Sequence, residues 1–276
     1  MAIKFLEAIY KKDGTSSTNH YHDCHQILLI EDGEVDVFFG DRVRRVKGGS
    51  ILFFSRFEEH SIHIISNPYK RYVMNISPKI DEGTYVGYKR FSILFNRPEG
   101  FDNILDISQH FTEIREVFDR IVKEKADSDD EMSEEILGLY AQELLLQLFR
   151  YFPDFFKMFD DEKNELIYKI QKDFEINYSQ EISLADLSRK YNISQSYLSH
   201  IFKATTGKSI KNYLLACRIT AAKKYLVNSN KRISEIMELC GFSDCSNFSR
   251  IFKRTTGLSP LDFRQKYHNQ EIETIE

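Results

Sequence analysis

Long apolar runs are missing from this 276-residue chain: nothing approaches the roughly 18 consecutive hydrophobic residues that would cross a bilayer. Its first residues, MAIKFLEAIYKKDGTSST, hold no extended apolar stretch ending in a small-residue cleavage site. Neither membrane insertion nor export is therefore expected. Cysteine is also scarce. Cys24, Cys217, Cys240 and Cys245 are too few and too scattered for a disulfide framework, and no Cys-x-x-Cys pair is present to seat zinc or run redox chemistry. A reducing cytoplasm is the expected setting.

What is present suffices for two packed domains, with 42% hydrophobic and 13% aromatic residues. The formal charge of −4 conceals an asymmetry. Residues 1–188 hold 23 Lys+Arg against 35 Asp+Glu, whereas residues 189–266 hold 15 against 4, a surplus of +11. A basic segment on an otherwise acidic chain is what neutralising nucleic-acid phosphates requires, although a solvated basic face would give the same count.

From about residue 20 to 77 the pattern is one of short strands broken by turn signals. Residues 26–31, 34–39, 42–46, 51–54, 60–65 and 71–77 read as strands, with Asp32-Gly33, Gly40-Asp41 and Gly48-Gly49 between the early ones. Such spacing implies an antiparallel barrel or sandwich. Beyond Pro98 the period changes: Ile107, Phe111, Ile114, Phe118 and Ile121 share one helical face, which predicts a helix over 105–124. After the acidic stretch 127–131 a second helix is expected over 133–152. Its apolar residues cover more than one face, so one side can pack on the barrel and another on a second subunit; burial within its own domain is the alternative. Pro153 and the charged stretch 160–165 mark a boundary, and helices are expected thereafter.

The helical region contains an internal repeat. YLSHIFKATTGKS at 197–209 matches NFSRIFKRTTGLS at 247–259 at an offset of fifty, and Leu184, Leu187, Tyr191 and Ile193 match Ile233, Ile236, Cys240 and Phe242 at forty-nine. Each copy reads as a short helix, a turn, and a second helix opened by a cap at Ser194 or at Ser243/Asp244: helix-turn-helix spacing. Leu198, Ile201 and Phe202, like Phe248, Ile251 and Phe252, fall on one face of that second helix. Ser196, Ser199, His200 and Lys203 in the first copy, and Cys245, Ser246, Ser249, Arg250 and Lys253 in the second, then face outward as candidate DNA contacts. Arg250 can pair with O6 and N7 of guanine, whereas Lys203 and Lys253 suit phosphates. Between the copies Leu215, Ile219, Ala222 and Leu226 predict one joining helix, on which Arg218, Lys223 and Lys224 could add phosphate contacts. Two recognition helices on one face of B-DNA would enter successive major grooves about 34 Å apart.

The run Ile233-Ser-Glu-Ile236, Gly241-Phe242-Ser-Asp-Cys-Ser246-Asn-Phe248-Ser-Arg250-Ile-Phe252-Lys253, Gly257-Leu-Ser259-Pro260 and Phe263-Arg264 closely resembles the signature of AraC/XylS-type transcription regulators, over residues 166–268. The resemblance implies a DNA-binding domain with two recognition helices that binds upstream of promoters and activates through RNA polymerase. Cys240, where the family carries a bulkier aliphatic residue before the glycine, and Asn247, at a position often Tyr, depart from the pattern. His20-Tyr21-His22, Gln26 and Gly33, with Gly48-Gly49 and His60, resemble the two cupin half-motifs of this family's sensor domains. His20, His22 and His60 could hold a metal as in cupin enzymes, line an effector site, or be structural. Gln26 stands where metal cupins keep Glu. The expectation is therefore an effector site of His20, His22, Gln26 and His60, without metal or cofactor; His25 and His63 are weaker candidates.

The combined expectation is an α+β protein. A cupin-like antiparallel β-barrel (1–100) precedes a two-helix dimerisation element (101–155), a linker (156–165), and an all-α domain (166–276) with two helix-turn-helix motifs joined by a linker helix. The function expected is that of a cytoplasmic, nucleoid-bound, homodimeric activator, not an enzyme. It would bind promoter DNA and respond to a small molecule such as a sugar or another metabolite. A ligand-independent or protein-controlled regulator is one alternative, for which a barrel filled by Phe38, Phe39, Phe53, Phe54 and Tyr72 would speak. A metal-dependent cupin enzyme fused to a DNA-binding domain is another.

Overall fold

The computed structural model describes residues 5–39, 42–77, 102–127, 130–156 and 161–267. The chain divides into two compact units, Met1–Asn164 and Glu165–Glu276. The expected turn at Gly40-Asp41 and the boundary expected near residue 100 lie outside the described residues.

The first unit is an antiparallel sheet of β1 (Phe5–Lys11), β2 (His25–Phe39), β3 (Arg42–Lys47), β4 (Ser50–Phe54), β5 (Ser61–Ile76) and β6 (Ile104–Asp106). The order is β1-β5-β2-β4-β6, with β3 paired to β2. Two strands expected on either side of Asp32-Gly33 are one strand, β2, and two expected within 60–77 are β5. Gly33 sits at φ +99°, and its pairing with β5 shifts register on both sides. A Cβ there would lie 2.5 Å from the Pro68 carbonyl oxygen. Glycine thus makes a bulge that bends a continuous strand rather than a turn that ends it.

The bend folds the sheet over itself. Leu28 and Ile30 from one half of β2 and Val35, Val37 and Phe39 from the other bury together with Val46, Leu52, Phe54, Tyr69 and Val73 on the inner face. Alternate residues Ile27, Leu29, Ile51, Phe53, Tyr72, Met74 and Ile76 form the outer face. Burial on both faces explains why residues 27–30 of β2 and 51–54 of β4 read as unbroken apolar runs, whereas 34–37 of β2 alternates polar and apolar with its burial. Of the aromatics expected inside, Phe39 and Phe54 are there; Phe53 and Tyr72 face the other way, and Phe38 is half-buried.

The outer face is covered by α1 (Phe111–Asp127) and α2 (Glu131–Tyr151). The helix expected from 105 begins only at 111, because Ile104–Asp106 pairs with β4 and the Ile107 N–H donates to the Gly49 carbonyl. Helix α1 applies Ile114, Val117, Phe118 and Ile121. Polar bonds tie it to the sheet as well: Arg115 Nη1 donates to Glu31 at 3.1 Å and the Tyr72 hydroxyl to Asp119 at 2.6 Å. Helix α2, capped by Asp130, buries Leu137, Ala141, Leu144, Leu145 and Leu148. Its opposite side leaves Met132, Leu139 and Leu146 exposed at 63, 62 and 46%, seven residues apart. A short turn of helix, α3 (Pro153–Phe156), follows.

The second unit is helical: α4 (Asp161–Asn177), α5 (Leu184–Lys190), α6 (Gln195–Thr206), α7 (Ile210–Asn228), α8 (Ile233–Leu239), α9 (Cys245–Thr256) and α10 (Pro260–Tyr267). The sequence repeat is a structural one. In each copy a threonine hydroxyl, Thr206 or Thr256, donates to the carbonyl four residues back and accepts the N–H two residues on; Gly207 and Gly257 then end the helix at φ +73° and +78°. Phe202 packs edge-on against Tyr213 as Phe252 does against Phe263. Helix α7 serves both copies: Tyr213 joins the first stack, while Ile219, Ala222, Leu226 and Val227 lie in the core of the second.

Candidate nucleic-acid interface and candidate input site

Two helices carry the expected DNA contacts. Ser194 caps α6, its hydroxyl accepting the Tyr197 N–H at 3.2 Å, and Asp244 caps α9, accepting the Asn247 N–H at 2.6 Å. Of the pair Ser243/Asp244, the aspartate is therefore the cap, and its charge at a helix N-terminus adds a favourable dipole interaction. With Leu198, Ile201 and Phe202 turned inward, α6 exposes Ser196, Ser199, His200 and Lys203. With Phe248 and Phe252 fully buried, α9 exposes Cys245, Ser246, Arg250 and Lys253 and half-buries Ser249.

The turn before each of these helices needs one residue with positive φ. Asn192 supplies it at +52° and Gly241 at +76°. Asparagine tolerates that conformation, but Gly241 also touches backbone: a Cβ would stand 2.6 Å from the Ser179 carbonyl oxygen.

Three features of this surface escaped the sequence reading. Arg250 Nη2 donates to Asn247 Oδ1 at 2.9 Å, so Asn247 orients the guanidinium. Tyr197, at the matching place in α6, is 50% exposed, and Arg254 is exposed beside Lys253. Arg218, expected to reach phosphate, is occupied instead: its Nε donates to the Tyr178 carbonyl at 2.7 Å and its Nη2 to that of Gln180 at 2.9 Å. Partial burial holds its pKa below the usual arginine range. Arg264 does the same in the second copy, donating to Leu226 and Lys231. Both arginines fasten a chain end left by a helix. Lys224 is exposed and Lys223 half-buried, 5.9 Å from the Phe263 ring centre.

In the first unit the structure gathers His20, His22 and His60. One ring nitrogen from each lies within 4.8 Å of the others. His20 and His60 exchange backbone hydrogen bonds of 3.0 and 2.9 Å, and the His22 carbonyl accepts the Phe57 N–H at 2.9 Å. Phe57 takes φ +63°, a costly conformation for a bulky residue. It is completely buried beneath Arg56, whose guanidinium pairs with Asp23 at 2.6 Å. The fully buried His60 ring stacks on Phe54 at 3.9 Å. Gln26 is held differently: its amide donates to Asn75 Oδ1 at 2.9 Å, and Asn75 in turn donates to Glu7 at 2.7 Å. His25 accepts the Arg56 N–H, and His63 packs against Phe38.

Comparisons with known proteins follow this division. A model described as an AraC-like ligand binding domain matches residues 5–141, and one described as a helix-turn-helix domain matches residues 187–266. The Msm operon regulatory protein of Streptococcus mutans is 37% identical over 101 residues, 37% of this chain and 36% of that protein's length. The HTH-type transcriptional activator RhaR of Yersinia pseudotuberculosis is 25% identical over 263 residues, covering 90% of this chain and 84% of its own. RhaS of Klebsiella pneumoniae, described likewise as a transcriptional activator, is 25% identical over 260 residues, covering 89 and 87%. Among solved structures, ToxT from Vibrio cholerae superposes with a TM-score of 0.59 at 15% identity over 97% of this chain and 99% of that one, which shows a shared fold.

Proposed function

The chain belongs to the AraC family of transcription regulators, with a ligand-binding domain ahead of its helix-turn-helix domain, and on that premise we propose that it is a homodimeric, effector-controlled activator acting on promoter DNA in the cytoplasm. The observation that carries the reading is the duplicated, outward-facing polar surface of α6 and α9 within a segment of net charge +11. Arg250, steadied by Asn247, reads a base; Lys203 and Lys253 neutralise phosphates; Ser196, Ser199, His200, Cys245, Ser246 and Ser249 complete the two reading faces. Activation by contact with RNA polymerase draws support from relatives described as activators. Residues 166–276 are the DNA-binding part, 156–165 a linker, 101–155 the dimerisation element and 1–100 the effector domain.

The exposed Met132, Leu139 and Leu146 of α2 support dimerisation, since a seven-residue spacing aligns apolar side chains along one helix seam. The input site is placed at the histidine end of the sheet. An effector acts there only through different affinity for two arrangements of the DNA-binding parts. Genome-wide binding of the protein in its host, with Arg250→Ala beside it, tests the reading: discrete promoter peaks lost in the variant support it, and peaks unchanged by the variant refute it.

A second reading has one observation in its favour. The inner face of the sheet is filled by Leu28, Ile30, Val35, Val37, Phe39, Leu52, Phe54 and Tyr69, each at most 8% exposed. A regulator whose first unit dimerises or binds a protein, without taking a metabolite, fits that packing. Titration with candidate metabolites that neither bind nor change DNA affinity would favour it.

A further inference from the structure

We propose that His20, His22 and His60 bind one divalent transition-metal ion of the zinc, cobalt and nickel class. The regulatory consequence rests on the reading of this end of the sheet as the input site; the ion binding itself does not.

The first argument is tautomer. His20 Nδ1 faces the Thr18 carbonyl at 2.7 Å and His60 Nδ1 faces the Glu58 carbonyl at 3.0 Å. A carbonyl can only accept, so each Nδ1 carries the proton, and in the neutral ring the lone pair is on Nε2. An imidazole anchored through one nitrogen to a carbonyl, which leaves the other nitrogen for the ion, is how proteins orient metal ligands.

The second argument is preorganisation. The His20–His60 backbone bridge fixes two ligands relative to one another, and the bond from Phe57 to the His22 carbonyl fixes the third to the same turn. The three rings pack closely: His20 and His22 meet edge to face at 4.8 Å between centroids, and His60 is tilted to them at 4.5 and 5.2 Å. Ligand nitrogens on a tetrahedral ion at about 2.05 Å are roughly 3.3 Å from each other. The observed limit of 4.8 Å therefore requires the ligand nitrogens to turn toward a common point, which rotation of the partly exposed His22 achieves while His20 keeps its bond to Thr18 and His60 stays stacked on Phe54.

The third argument is ligand chemistry. Two neighbouring carboxylates have other duties: Asp23 pairs with Arg56, and Glu58 accepts from the Ser55 N–H and from Asn103 at 2.7 Å. Three imidazoles select zinc, cobalt, nickel or copper over magnesium or calcium. Among the described residues this is the one group of three or more His, Cys, Asp or Glu whose ligand atoms converge. Three protein ligands leave a coordination position for water or for an oxygen of a second ligand.

The test uses untagged, full-length protein stripped by chelator and titrated with Co²⁺, whose visible absorption reports coordination, followed by displacement with Zn²⁺. One equivalent should bind. His20→Ala and His22→Ala should each weaken binding more than tenfold, while His63→Ala, outside the group, should bind as the unaltered protein does. His60 is left intact because its buried ring supports the fold. Absence of saturable binding, or binding that survives both substitutions, overturns the site. Promoter-DNA affinity measured with and without Zn²⁺ separates the two readings. A change ties the ion to control, whereas stoichiometric binding with unchanged DNA affinity establishes the ion and removes the input-site reading.

Discussion

The two helix-turn-helix copies share a frame and differ in what the frame presents. Caps at Ser194 and Asp244, exits at Thr206-Gly207 and Thr256-Gly257, aromatic stacks on Phe202 and Phe252, and arginine clamps at Arg218 and Arg264 recur in both. At the outward positions, Tyr197 and His200 in the first copy answer to Asn247 and Arg250 in the second. Frame residues are fixed by packing and backbone conformation, which any helix-turn-helix must satisfy; the outward residues are under neither constraint. The second copy carries the permanently charged, oriented fork, so it should contribute more base discrimination.

The largest expected effect breaks the frame on one side. Gly241→Ala adds a positive-φ penalty and a clash with the Ser179 backbone, costing about 3 kcal/mol, against about 1 kcal/mol for Asn192→Ala. Denaturant unfolding of both variants measures this, and equal costs would show that the two turns are interchangeable. Next comes Arg250→Ala, which should cost about 1–3 kcal/mol of DNA affinity and relax specificity at one base, while His200→Ala should cost less than about 1 kcal/mol. Competition binding against single-base operator variants decides; identical profiles would abolish the asymmetry. Lys203→Ala and Lys253→Ala should behave alike, each reducing the salt slope of binding by about one without changing sequence preference. The smallest effect sharpens the comparison: Asn247→Ala frees the Arg250 guanidinium and should cost about 0.5 kcal/mol at the base position proposed for Arg250, and nothing once Arg250 is already alanine.

How much of this was legible in the sequence depends on whether a feature is local. The second unit was, because duplication displays each cap, turn and apolar face twice, and the continuous helix through Leu215, Ile219, Ala222 and Leu226 followed from spacing. In the first unit Gly33 read as a turn, since a bulge and a turn share the same residue chemistry and only pairing with β5 distinguishes them. Strand β1 was missed because its buried Phe5 and Ala8 are three apart, a helical spacing that a register shift between Phe5 and Glu7 permits in a strand, and β6 because three residues carry no period at all. The histidine trio was visible as His-x-His plus a later His. The hold of Asn247 on Arg250, and the commitment of Arg218 to Tyr178 and Gln180, were not, because each is a side-chain bond whose geometry no spacing rule encodes.

Helix α7 lends its N-terminal half to one core and its C-terminal half to the other. Neither copy owns a complete set of helices. If either melted, the remaining one would face water with half of α7 stripped of its packing, so partial unfolding of the second unit carries a penalty from both sides. Amide hydrogens throughout α6, α7 and α9 should then exchange through a shared opening event, as one foldon with a single protection level.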